Sequence, residues 1–140
     1  MDTAGRNNPS LLLIEENHSV MGPLRDWLNM AFPDMQLIET ADRARGVSLN
    51  RSQRPDVVLT DISALGRGGV EHIRRVKAAQ PAAAVFVLVG LESPSYESAL
   101  IRAGAEACTC IWKLRTDLLP RLQRYLITRA HRASTPVCAA

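Results

Sequence analysis

Three carboxylates carry most of the chemistry this sequence could do. Glu15 and Glu16 follow the apolar run Leu11-Leu12-Leu13-Ile14, and Asp61 closes the run Pro55-Asp56-Val57-Val58-Leu59-Thr60. Acids brought to one place repel each other unless a cation or protons intervene. All-oxygen ligation is what Mg²⁺ prefers, so the trio is a candidate divalent-cation site. Taken alone, Asp61 is equally consistent with a loop aspartate that bonds nearby backbone amides.

Other reactive residues form weaker patterns. Cys108 and Cys110 share a face if they lie on a strand, but a zinc site wants four ligands. His18, His72 and His131 fall on separate elements, so the cysteines read as buried structural residues. Gly66-Arg67-Gly68-Gly69 lacks the spacing of a phosphate-binding loop and the Lys-Ser/Thr pair that would follow it. No serine sits in a nucleophile-elbow motif, and Trp27 falls at the spacing of a helix core.

The carboxylates meet only if the elements before them share a sheet edge. Val57-Val58-Leu59 is continuous rather than alternating, the habit of a strand buried on both faces of a parallel sheet. Similar runs lie at 11–14, 35–40, 84–89 and 107–112. Helices are expected at 19–32, 41–50, 70–79, from Pro94 to a stop at Gly104, and from a Thr116 cap onward. Ser93 suits an N-cap and Pro94 a first helical position. Pro23 is awkward outside a first turn, Gly46 interrupts a weak helix in which Ala44 and Val47 face inward, and Pro120 requires a nearby helix start. Five strands alternating with five helices make a doubly wound α/β sandwich. Ligands collect at the carboxyl ends of its strands, where Glu15, Glu16 and Asp61 would all lie.

The 140 residues fit one domain, expected at 11–130 between a polar leader (1–10) and a small, polar tail (131–140). Hydrophobic content of 46% and charge of 22% are those of a soluble globular protein. No apolar run is long enough to span a membrane, and the first ten residues lack an export-signal core. Three cysteines, an odd number, argue for a reducing cytoplasm. Between residues 113 and 132, six Lys/Arg face one acid, Asp117, which reads as a solvated basic face without a DNA-binding motif beside it. After Tyr125 too few residues remain for a helix-turn-helix, so no DNA-binding domain is expected.

Leu-Ile-Glu-Glu at 13–16, Arg-Pro-Asp-Val-Val-Leu-Thr-Asp-Ile at 54–62, Gly69-Val70-Glu71 and Ala103-Gly104-Ala105-Glu106 together resemble the receiver domain of two-component response regulators, closest to the NarL/FixJ type. The resemblance spans roughly residues 11–125. It implies a flavodoxin-like (CheY-like) five-stranded parallel sheet of order 2-1-3-4-5, and a signalling protein rather than an enzyme. By position, Asp61 would accept a phosphoryl group from a histidine kinase. Glu15, Glu16, Asp61 and the Ser63 carbonyl would hold Mg²⁺, and no organic cofactor is implied. Helix four, strand five and helix five would form the face for a protein partner or a homodimer, with Tyr96, Leu100, Arg102, Arg121, Arg124 and Tyr125 on it.

The departures from that pattern bear on function. The family's two Asp are Glu15 and Glu16, and its usual Pro after the phosphoacceptor is Leu65. Its Thr or Ser ending strand four is Val89, its aromatic switch residue is Cys108, and its phosphate-pairing Lys is Ile111. Lys113 lies two residues on, about 7 Å along a strand, so a bulge or register slip would be needed to place it. The expectation is a degenerate receiver with weak or absent Mg²⁺ binding and phosphorylation, beside the alternative of a conventional Mg²⁺-dependent receiver phosphorylated on Asp61.

Overall fold

A computed structural model describes residues 8–62 and 68–134, with side chains to residue 130. Strands β1 (Ser10–Ile14), β2 (Gln36–Thr40), β3 (Val57–Asp61), β4 (Ala84–Val89) and β5 (Ala107–Cys110) form one parallel sheet. Its order is β2-β1-β3-β4-β5, as the sequence predicted. Helices α1 (His18–Ala31), α2 (Arg43–Gln53), α3 (Gly69–Ala79), α4 (Pro94–Ala103) and α5 (Leu119–Ser134) cover the two faces.

Alternation along the strands divides the core in two. Leu11, Leu13, Val57, Leu59, Phe86 and Leu88 pack with Leu24 and Leu28 of α1 and Leu122 of α5. The intervening Leu12, Ile14, Val58, Val85 and Val87 pack with Ile73 and Val76 of α3 and Leu100 of α4. Successive strand residues point to opposite faces, so a continuous apolar run serves both layers. Trp27 is half-buried against the first of them.

Several local expectations need correction. Helix α1 starts at His18, capped by Asn17, whose side chain accepts from the Ser19 amide at 3.0 Å. Pro23 therefore sits in the second turn, where its missing N–H deprives the Ser19 carbonyl of its usual donor. Asp42 caps α2 by accepting from the amides of Ala44 and Arg45, and Ala44 is exposed rather than inward. Gly46 marks a close approach of α2 to β1: a Cβ there would lie 2.5 Å from Ile14 Cδ1. Ser93 precedes α4 as expected but makes no side-chain cap bond, whereas Gly104 ends α4 at φ 124°, a region that favours glycine.

Strand β5 stops at Cys110, short of the expected Trp112. Its last partner is Val89, the end of β4, so there is no ladder left to extend it. The chain winds instead into a 3-10 turn (Ile111–Lys113) and a π-helical turn (Leu114–Leu118) before α5. Pro120 is then the second residue of α5, near the helix start it requires.

Candidate functional site at the carboxyl edge of the sheet

Strand register explains which acids meet. Ile14 of β1 is level with Thr60 of β3, so Glu15 and Asp61 follow one step later, side by side on adjacent strands. Both are almost fully buried, at 2% and 5% exposure. Glu15 Oε1 accepts from the Asn17 amide at 2.9 Å, while its buried Oε2 has no conventional hydrogen-bond partner. Burial first, then the side-chain contact with Asp61, push the Glu15 carboxyl up to about 8. Desolvation disfavours the charged form, and a second carboxylate at close quarters adds to that.

Glu16 takes the other side. The same alternation that sets Ile14 in the α2–α3–α4 layer aims Glu16 toward that layer, and it forms an ion pair with Arg43, the first residue of α2, at 2.7 Å. The Arg43 guanidinium also approaches Gly68, where a Cβ would lie 3.5 Å from it. Glu15 and Asp61 are thus brought together and Glu16 is not. Ser63 and Leu65, like Gly66 and Arg67, fall outside the described residues.

Mg²⁺ demands near-octahedral oxygen ligation. Two adjacent carboxyls remain, one oxygen being engaged by Asn17, and the third carboxylate already has a cation in Arg43. No group of three His, Cys, Asp or Glu gathers to hold a metal among the described residues. The described side chains do not fit a three-carboxylate Mg²⁺ site in this arrangement.

Val89, 6% exposed, ends β4, and its neighbour Leu88 is level with Asp61. Ile111 opens the 3-10 turn, half-buried. Lys113 closes that turn with its ammonium held by Glu92 of the β4–α4 loop, a contact that raises its pKa. Cys108 is half-buried on β5 and Cys110 buried beside the Gly90 carbonyl; burial pushes the Cys108 thiol up to about 11, so it stays protonated and unreactive at neutral pH. His18 is an exposed residue at the start of α1.

One polar pair was not foreseen. Thr60, on the strand face opposite Asp61, hydrogen-bonds His72 of α3, Oγ1 to Nε2 at 2.9 Å, with both residues buried. Burial, then the charges of Arg43 and Arg75, push the imidazole down to about 4, so it is neutral at physiological pH. The signal was available in outline. His72 lies one residue from Ile73 in a helix that faces the strand on which Thr60 alternates with Val58.

On the proposed signalling face, Leu100 is fully buried and belongs to the core, a correction to its expected place on that surface. Tyr125 packs edge-on to Phe86, ring centroids 5.9 Å apart. Ile101, Arg102, Arg121 and Arg124 are exposed. Strand β5 forms one edge of the sheet.

Comparison with known proteins agrees with this geometry. Residues 11–113 match the response regulator receiver domain. Response regulator GacA of Pseudomonas aeruginosa is 35% identical over 72 residues, 51% of this chain and 34% of that protein. A cyclic di-GMP phosphodiesterase of Thermotoga maritima is 25% identical over 97 residues, 69% of this chain and 25% of that protein. The chain therefore spans about a quarter to a third of these relatives' lengths. Among solved structures, the CheY-like receiver domain protein of Methanospirillum hungatei superimposes with a TM-score of 0.76 at 17% identity, covering 90% of this chain and 98% of that one. The signal receiver domain of a DNA-binding response regulator from Colwellia psychrerythraea gives a TM-score of 0.72 at 24% identity, covering 86% and 99%.

Proposed function

The chain belongs to the response regulator receiver domain family, and on that premise we propose that it is an atypical receiver, acting through protein–protein contacts with weak or no phosphorylation of Asp61. The observation that carries this reading is the company Asp61 keeps. Val89 and Ile111 stand where the family places a hydroxyl and an ammonium, and Lys113 is held by Glu92. A phosphorylated Asp61 would bring roughly two negative charges to that edge. Phosphoryl transfer depends on stabilising the equatorial oxygens, so their absence slows it by orders of magnitude. Val89 and Cys108 also lack the hydroxyl and the aromatic ring through which the switch would reach the signalling face.

A second reading, a conventional Mg²⁺-dependent receiver phosphorylated on Asp61 by a histidine kinase, is favoured by one observation. Asp61 ends β3 directly beside a strand-one acid, Glu15. In that reading Glu15, Glu16 and the Ser63 carbonyl would rearrange around the ion, and Lys113 would leave Glu92 for the phosphate. A cytoplasmic place suits either reading, since Cys108 and Cys110 are free thiols; no described helix is long and apolar enough to cross a membrane.

For output, the face formed by α4, β5 and α5 is assigned to a second copy of the chain or an acidic protein partner, held in one state without phosphate. Exposed arginines and aromatics are typical of such surfaces. Sedimentation of the wild type, Asp61→Asn, and the Arg121→Glu/Arg124→Glu pair tests this. Asp61→Asn is expected to associate like the wild type, while the double variant loses self-association or partner capture and keeps its fold, because surface charge changes move stability by about 0.5 kcal/mol or less. Loss of association in Asp61→Asn would instead favour the conventional reading, and unchanged association in the double variant would exclude this face.

A further inference from the structure

We propose that Arg43 is a built-in counter-cation of the acidic site, holding Glu16 away from Glu15 and Asp61 and so keeping a divalent ion out. The inference rests on the receiver reading of that site and adds a reason for its weak use of metal. Arg43 opens α2, capped by Asp42, so its stem starts from a fixed point beside the carboxyl edge. Its guanidinium reaches back to Glu16 at 2.7 Å and forward to Gly68 at the start of α3, spanning the mouth between the two elements. A guanidinium stays charged throughout the accessible pH range and pairs well with carboxylates. Glu in place of Asp at position 16 supplies the extra methylene that carries the carboxylate outward to it.

The second, independent observation is inside the site. Glu15, 2% exposed, keeps Oε2 buried without a conventional hydrogen bond, next to Asp61. An oxygen in that condition wants a cation or a proton. Among the described residues Arg43 is the cation that pairs with one of these acids, and it holds Glu16, so a divalent ion entering beside Glu15 lacks the third carboxylate. Breaking the Arg43–Glu16 pair frees that carboxylate for the ion. On its other side Arg43 borders an open cavity of about 590 Å³ between α2 and α3, lined also by Val47, His72 and Arg75, so truncating it exposes solvent rather than opening a void in the core.

The test is titration of the full chain with MgCl₂ or MnCl₂ alone, followed by calorimetry and by tryptophan fluorescence. Arg43→Ala is expected to bind the ion at least about tenfold more tightly than the wild type, the scale of one carboxylate charge gained at close range. Adding Glu16→Gln should abolish that gain. Arg43→Gln, which keeps most of the stem, replaces Arg43→Ala should the shorter variant melt without cooperativity. Equal affinity of the wild type and both Arg43 variants, or a gain that survives Glu16→Gln, overturns the proposal. Because no phosphoryl donor is present, such a failure leaves the rate of Asp61 modification untouched as a separate measure of the receiver reading.

Discussion

Val89→Thr combined with Ile111→Lys is expected to raise the rate at which Asp61 takes phosphate from acetyl phosphate by at least about 10²-fold over the wild type in the same Mg²⁺-containing buffer. The figure is that for one well-placed donor to a developing oxyanion, so two donors leave room for imperfect geometry. Thr is close in shape to Val, and Val89, buried on the α3–α4 side of the core, is the last residue of its strand, one past the residue level with Asp61. Ile111 is half-buried in the 3-10 turn, where a lysine stem covers the same apolar ground and its ammonium reaches out. Radiolabel incorporation against an Asp61→Asn background reads the rate directly. No acceleration would mean that other features, the acid pair or the β3–α3 segment, limit the chemistry.

The second large effect concerns stability and acid. His72 is neutral in the fold, with its pKa lowered to about 4 against about 6.5 in an unfolded chain. Between those values the unfolded state binds a proton that the folded state refuses, so stability is full above pH 6.5 and is lost as pH falls toward 4. The loss is ~3 kcal/mol for a shift of this size. Among the described residues, the groups acting on the ring are Thr60 from β3, Arg43 from α2 and Arg75 from its own helix, and neither cation can lose its charge to relieve it. Glu15 runs the opposite way, since its folded state keeps a proton that the unfolded chain sheds above about 4.5. The measurement is therefore a difference: urea unfolding of the wild type and His72→Gln at pH 7 and pH 4.5, in which the Glu15 contribution is common. The wild type should lose most of the ~3 kcal/mol relative to the variant. Parallel pH profiles would show that the folded imidazole protonates as easily as the unfolded one.

Much of the fold was written in local sequence. Continuous apolar runs marked the buried strands, Pro94 and Gly104 bounded α4 to the residue, and the alternation of strands and helices implied a parallel sheet. What local pattern could not carry was pairing at long range. Nothing in the run Ala107 to Trp112 says where its neighbour ends, yet the end of β4 at Val89 is what stops β5 at Cys110. The Arg43–Glu16 and Lys113–Glu92 pairs join residues far apart in sequence, and surface charge alone does not choose among partners. Gly46 looked like a helix interruption because its role, the contact with Ile14, belongs to packing between α2 and β1. Placement of Glu15 beside Asp61, by contrast, followed from register once both were strand ends.

The most direct measurement of the central claim, a receiver-type site whose phosphoryl chemistry is suppressed, is intact-protein mass spectrometry of the wild type over time with acetyl phosphate and excess Mg²⁺. Asp61→Asn serves as the control that assigns the modified residue. A phosphoryl adduct that forms slowly or not at all, and never in Asp61→Asn, is the predicted result. Rapid, stoichiometric modification of Asp61 would contradict the account and restore the conventional phosphoacceptor.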